Sequence, residues 1–118
     1  MISRFVDIMN ANEAFALGRQ EMASGRLEKA IQAFEQSTTL APSSFDAWWA
    51  LASTCNLFGT QLEGEGDYKR ANMFKIKAAY SFDRATRADS ADSRASKAKA
   101  YAETIRSAQA KKKEAGYF

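Results

Sequence analysis

The chain has 118 residues, of which 46% are hydrophobic and 26% charged, with a single proline; this composition suits one compact domain and excludes a disordered chain. One cysteine excludes an intrachain disulfide framework, and the absence of histidine removes the commonest general base and metal ligand. The net charge of +3 is unevenly spread, since residues 1–66 hold four Lys and Arg against eight Asp and Glu, whereas residues 67–118 hold thirteen against six.

The first predicted element is a short N-terminal helix over residues 1–10. Its apolar residues stand at i, i+3, i+4 and i+7, and they are Ile2, Phe5, Val6 and Met9. This stripe must pack on something, either the rest of the chain or a partner such as a second copy. Arg4 and Asp7 interrupt the only candidate signal-peptide core, and no apolar run approaches the ~18 residues of a membrane span. We therefore expect a cytoplasmic protein.

Two antiparallel helices are predicted next, over about residues 11–24 and 27–40. Asn10, followed three residues later by a glutamate, is a typical N-cap for the first of them. Gly25 has the conformational freedom that a tight turn between helices needs. Pro42 ends the second helix because it has no backbone N–H to continue the hydrogen-bond ladder.

A spaced pattern of small and large apolar residues then recurs along the chain. Leu17-Gly18 returns 34 residues later as Leu51-Ala52, whereas Ala30-x-x-x-Phe34 returns 48 residues later. The second pair of helices must therefore contain 14 extra residues. A glycine-rich turn at residues 63–67 divides this excess equally, so we predict longer helices near 45–62 and 67–88, with about two additional turns each.

A last helix is predicted from about Ala91 to Lys113. Its narrow stripe of small apolar residues comprises Ala95, Ala98, Ala102 and Ile105. Such a stripe suits a helix that covers the open face of the last pair. The run 111–113 of lysines stands at the C-terminal end, where the helix dipole favours cations.

The spacing of Leu-small, turn glycine, Ala-x-x-x-Phe and Pro resembles the tetratricopeptide repeat, in which about 34 residues form two antiparallel helices. The resemblance implies an all-α fold of antiparallel helical hairpins, with the second hairpin elongated and a C-terminal capping helix. The expected single domain divides into an N-terminal helix at 1–10, repeat 1 at 11–44, extended repeat 2 at 45–90, and the capping helix with a basic tail at 91–118.

Proteins of this family are adaptors and chaperones that bind extended peptides or helices in a concave groove lined by the first helix of each repeat. The resemblance therefore implies a non-enzymatic protein-protein interaction module whose partner is a protein or peptide. Carried over by position, the groove residues are Asn12, Phe15, Arg19, Met22, Asp46, Trp49, Ser53 and Asn56. The family's clamp for C-terminal carboxylates does not carry over, because its Lys and Asn positions here hold Phe15, Arg19 and Ala50.

Two alternatives rest on charge. The first is homo-oligomerisation, in which the acidic first half of one molecule meets the basic second half of another. The second is binding of a nucleic acid or an anionic surface along a basic stripe of Arg70, Lys77, Arg84 and Arg87. Nucleic acid is the less favoured partner, because carboxylates interrupt the stripe and no aromatic residue lies within it.

No residue pattern predicts catalysis, a cofactor or a metal. Cys55 falls in the inward row of its helix and lacks a histidine partner, so we expect a small core residue. Glu63, Glu65 and Asp67 cluster in a glycine turn, but no calcium-loop pattern surrounds them. We expect a solvated acidic turn there.

Overall fold

The structure is a computed structural model that describes residues 9–118. Over this range the chain forms five α-helices and no strand: α1 Ala11–Ala23, α2 Leu27–Leu40, α3 Phe45–Gly64, α4 Tyr68–Ala88 and α5 Ala95–Glu114. Consecutive helices pack against each other, α1 on α2, α2 on α3, α3 on α4 and α4 on α5. The predicted all-α fold of antiparallel helical hairpins is confirmed.

The predicted N-terminal helix over residues 1–10 falls outside the described residues, except for Met9 and Asn10. Its stripe residues Ile2, Phe5 and Val6 are therefore not placed, and that element stays a prediction. None of the helices formed by residues 9–118 combines the length and the apolar character that crossing a membrane requires.

Side-chain caps determine where three helices begin. Asn10 Oδ1 accepts a hydrogen bond from the backbone N–H of Glu13 at 2.8 Å, and Glu13 Oε1 accepts one from the N–H of Asn10 at 3.1 Å. These reciprocal bonds form the capping box that the sequence predicted. Ser44 and Asp67 accept single capping bonds, of 3.1 and 3.3 Å, at the starts of α3 and α4.

The turns within the two hairpins depend on glycine. Gly25 follows α1 with φ of 78°, and Gly66 follows α3 with φ of 80°, the left-handed region that other residues rarely adopt. In both turns the residue after the glycine donates its N–H back to the preceding helix, which satisfies a terminal carbonyl group.

The first hairpin is held together by one aromatic side chain over a glycine. The Phe34 ring of α2 lies against Gly18 of α1, so closely that a Cβ on Gly18 would stand 2.5 Å from two ring atoms. Ala14 and Ala30 are completely buried beside it. The small residues of the repeated pattern thus let α1 and α2 approach, and Phe34 fills the space between them.

The second hairpin is longer than the first, since α3 and α4 have 20 and 21 residues while α1 and α2 have 13 and 14. Its additional turns are held by an edge-to-face pair of Phe58 and Phe74, whose ring centroids are 4.8 Å apart, and by Leu62, which is 2% exposed. The turn between α3 and α4 lies where the sequence placed it.

Helix α5 lies antiparallel to α4, because Arg106 pairs with Asp83 whereas the later Gln109 reaches the earlier Asn72. All residues of its predicted apolar stripe are buried, namely Ala95, Ala98, Ala102 and Ile105. The start expected near Ala91 is wrong by four residues. The side chains of two aspartates accept bonds from the N–H groups of residues 91 and 94, which stabilises a turn instead of the first helical turn.

Candidate functional site

The α1 part of the predicted groove is accessible in three of its four positions. Asn12 and Arg19 are exposed, and Met22 is 36% exposed. The Met22 Sδ accepts a hydrogen bond of 3.6 Å from the Thr54 hydroxyl, so the C-terminal end of this row adjoins α3. Phe15 is half-buried, with its ring 5.5 Å from the ring of Phe34, and belongs to the packing of the first hairpin.

The α3 part of the predicted groove is partly covered by α5. The half-buried Trp49 lies 5.8 Å from the Tyr101 ring and 5.4 Å from the Phe82 ring, centroid to centroid. Arg94, which precedes α5, places its guanidinium 5.7 Å from the Trp49 ring and donates to Asp46 Oδ1 at 2.6 Å. Two of the predicted groove residues are thus engaged within the chain.

Ser53 is half-buried on the same helix. Asn56, the last predicted groove residue, borders a cleft of about 230 Å³ between α3, α4 and α5. Lys75 reaches into it and donates to Asn56 Oδ1 at 2.8 Å and to the Thr60 hydroxyl at 2.6 Å, with Glu63 Oε1 4.0 Å away. Burial lowers the pKa of the Lys75 ammonium.

Lys112 of α5 pairs with the same Glu63 and also donates to Gln109 Oε1 at 2.9 Å. Burial lowers the pKa of Lys112 as well. Both ammonium groups therefore donate hydrogen bonds to acceptors of this chain, and they share one carboxylate, that of Glu63.

Half of the predicted basic stripe is paired with acids on α2. Arg70 donates to Glu28 at 3.1 Å, and Lys77 donates to Glu35 at 2.6 Å. The two acids stand seven residues apart, as do the two bases, so the helices present matching charges one pair every two turns. Each pair is largely exposed and contributes at most about 1 kcal/mol, yet together they neutralise this part of the stripe.

The other half of the stripe lies on the C-terminal part of α4. The Arg84 guanidinium lies 4.7 Å from the Trp48 ring centroid and donates to the Tyr80 hydroxyl at 2.9 Å. Arg87 is exposed and borders an open cleft with Pro42. The stripe is therefore a set of cations in different surroundings and does not form one continuous charged surface.

Ion pairs within the molecule connect part of the acidic first half with part of the basic second half. Four acids of the first half form ion pairs with bases of the second half: Glu28 with Arg70, Glu35 with Lys77, Asp46 with Arg94, and Glu63 with Lys75 and Lys112. Contacts between acidic and basic halves are thus made in one chain, which leaves fewer charges for contacts between chains.

Cys55 is completely buried, and burial raises the pKa of its thiol to about 12. A thiol in this state is not a nucleophile at neutral pH. From Met9 onwards, no group of three or more Cys, Asp or Glu side chains is arranged to hold a metal ion.

An exposed apolar surface on α4 was missed by the sequence analysis. Met73, Ile76 and Tyr80 stand at i, i+3 and i+7 and are 62%, 53% and 50% exposed. The spacing of these three residues is visible in the sequence as a second row of α4, on a different face from the inward row of Ala78 and Phe82. Ile76 and Tyr80 border a groove between α4 and α5.

Comparison with known families finds a similarity in the first half of the chain. Residues 11–54, which cover α1, α2 and the first half of α3, match the family model described as Tetratricopeptide repeat. No curated protein matches the chain significantly. The matched range contains seven of the eight predicted groove residues, and Asn56 lies outside it.

Proposed function

We propose that this chain has an adaptor or chaperone-like role, in which a peptide or helix of another protein binds along α1 and the adjoining part of α3. Residues 11–54 match the tetratricopeptide repeat family. Repeats of this family mediate protein-protein interaction and are typically non-catalytic modules. The family match is the observation that carries this proposal.

The accessible residues of α1 support a binding site at its end of the groove. Asn12, Arg19 and Met22 fall on one face, since their spacing of seven and three residues follows the helical turn. The Met22 side chain offers an adaptable apolar contact, and the Arg19 guanidinium can bind a carbonyl or a carboxylate. Trp49 and Phe15 support the site from within, because both are packed against the hydrophobic core.

The charge-based alternatives have weaker support. Assembly of acidic against basic halves competes with ion pairs that Glu28, Glu35 and Glu63 already make within the chain. Binding of a nucleic acid along the basic stripe would first have to displace the acids from Arg70 and Lys77. Protein binding needs neither exchange.

A peptide library displayed on phage tests the proposal, with the purified chain as bait. We expect the selected peptides to bind the Arg19→Glu/Met22→Asp variant at least about tenfold more weakly than the parent. The matched control is Leu57→Glu, because Leu57 is 47% exposed on α3 but borders no described pocket. A selection in which no peptide loses affinity for the double variant would refute this site.

A further inference from the structure

We propose that the groove between α4 and α5 is a second interaction surface, which binds an amphipathic helix with acidic flanks from a partner protein. This surface is separate from the groove on α1 and α3, because none of its lining residues belongs to either helix.

The groove is built from apolar side chains of two antiparallel helices. It has a volume of about 340 Å³ and is lined by Ile76, Ala79 and Tyr80 of α4, by Ile105, Arg106, Gln109, Ala110 and Lys113 of α5, and by Phe118. Its apolar anchors Ile76 and Tyr80 are half exposed, whereas Ile105 forms a buried floor at 8% exposure. Met73 continues the exposed row along α4.

The C-terminal residue Phe118 contributes to the lining of the groove. Tyr117 packs on Tyr68 with ring centroids 5.0 Å apart, and its carbonyl oxygen accepts a hydrogen bond of 2.8 Å from Asn72. Phe118 is held beside Lys113 in the lining by these contacts.

A helix is the occupant that the shape favours. In arrays of helical repeats each pair of helices covers the face of the preceding pair, and the seam between two antiparallel helices accepts the ridge of side chains of the next helix. Here α5 covers α4, and the seam between them carries exposed large side chains without a helix upon it in residues 9–118. Anchors at i, i+3 or i+4, and i+7 would fit such a seam.

The charges around the groove favour an acidic partner. Arg106 and Lys113 line it seven residues apart, and Arg84 adjoins Tyr80, while no Asp or Glu side chain is among the lining residues. Asp83 pairs with Arg106 from outside the lining, and Lys113 has no ion-pair partner among the described residues. A carboxylate of a bound helix would therefore meet Lys113, whereas Arg106 already has a partner in Asp83.

The same charges argue against a second copy of the chain bound groove to groove. A two-fold interface would place this surface against itself, so that the cationic border of one copy would face the cationic border of the other. Like charges brought together at an interface weaken association. The cationic border thus selects a partner of opposite charge.

The experiment titrates the full chain against two fluorescein-labelled peptides of about four helical turns each, both with leucines at i, i+3, i+4 and i+7. One peptide has glutamate on the flanks of the leucine stripe, and its twin has lysine at the same positions. We expect the glutamate peptide to bind at least about tenfold more tightly, as measured by fluorescence anisotropy. We also expect Ile76→Glu to weaken its binding at least about tenfold.

Two controls keep the assignment specific. Leu57→Glu introduces the same charge at a side chain of similar exposure, 47% against 53%, and should leave binding unchanged. Arg19→Glu/Met22→Asp alters the groove on α1 and separates the two surfaces, because binding weakened by this variant and not by Ile76→Glu would assign the peptide to that groove. Circular dichroism of each variant checks that the helices remain folded.

Three results would overturn the proposal. Equal affinity for the two peptides would refute the acidic partner, and binding unaffected by Ile76→Glu would refute the site. Sedimentation that shows a dimer of the parent chain, dissociated by Ile76→Glu, would assign the groove to a second copy.

Discussion

The close approach of α1 and α2 predicts that Gly18→Ala destabilises the fold, although alanine is the better helix former. The added Cβ would lie 2.5 Å from Phe34 Cδ1 and Cε1 and 2.8 Å from Cζ, whereas ordinary contacts are 3.4–4 Å. The ring is 1% exposed and cannot move into solvent. The two helices must therefore separate by about 1 Å, or the ring must leave its preferred rotamer.

The magnitude follows from two opposing contributions. Overpacking of a filled core costs about 1–3 kcal/mol, and three ring atoms in conflict place this substitution in the upper part of that range. Replacing glycine by alanine within a helix stabilises the folded state by about 1 kcal/mol. We expect the free energy of unfolding to fall by about 2 kcal/mol, with a decrease in Tm of about 8 °C for a domain of this size.

Urea denaturation followed by circular dichroism measures the effect, with Gly64→Ala as the matched control. Gly64 is the last residue of α3, and an added Cβ there meets no atom within 4 Å. The control variant should be as stable as the parent or slightly more stable. Stability of Gly18→Ala within about 0.5 kcal/mol of the parent would refute the steric argument.

A double variant tests whether the conflict is with Phe34 itself. Phe34→Leu alone should destabilise the protein because it removes buried ring atoms. Combined with Gly18→Ala, it should cost less than the sum of the two single changes, since the smaller side chain leaves room for the new methyl group. Additive costs would show that the two positions do not interact.

Three further predictions concern a cap, a thiol and a carboxylate. Asn10→Ala should lower the free energy of unfolding by about 1 kcal/mol in urea titration, because it removes the capping box; an unchanged value would contradict that role. Cys55 should resist a thiol reagent at pH near 8 until the protein unfolds, since burial raises its pKa to about 12; rapid native labelling would contradict its burial. A hydrogen bond from the Arg94 side chain is the main cause that lowers the pKa of Asp92 from its usual 3.8 to about 2. The ionised carboxylate therefore stabilises the fold above about pH 4, and this stabilisation is lost as the pH falls towards 2. In urea titrations between about pH 4 and pH 2, Asp92→Asn should remove this decrease in the free energy of unfolding. An unchanged dependence of stability on pH in the variant would refute the assigned role of Asp92.

Helix positions could be predicted because the signals that define them are local. Asn10 and its glutamate partner, Gly25 and the glycine turn before Asp67 lie within a few residues of the ends that they determine, and the observed bounds agree within two residues for α1 to α4. The start of α5 was missed because two aspartates stabilise a turn, a choice between local hydrogen bonds that the residue types leave open.

The candidate binding residues were harder to predict, because their accessibility depends on helices distant in sequence. Position on α3 suggested that Trp49 and Asp46 face a partner. Tyr101 of α5 instead lies against Trp49, and Arg94 contacts both side chains. The row of bases on α4 suggested an anionic ligand, but Arg70 and Lys77 meet acids 42 residues earlier in the chain. Sequence spacing identifies which side chains share a face, and it does not identify what covers that face.

The sequence by itself determined the class of fold, the helical hairpins and the relation to tetratricopeptide repeats, because helical periodicity, caps and turn glycines act over a few residues. Only the tertiary structure decided which charges are neutralised and which apolar rows stay exposed. The groove at Ile76 and Tyr80 exists because α5 buries one face of α4 and leaves the neighbouring face open. That outcome depends on how side chains pack between helices. The spacing within each helix determines which residues share a face, but it does not determine which face is covered.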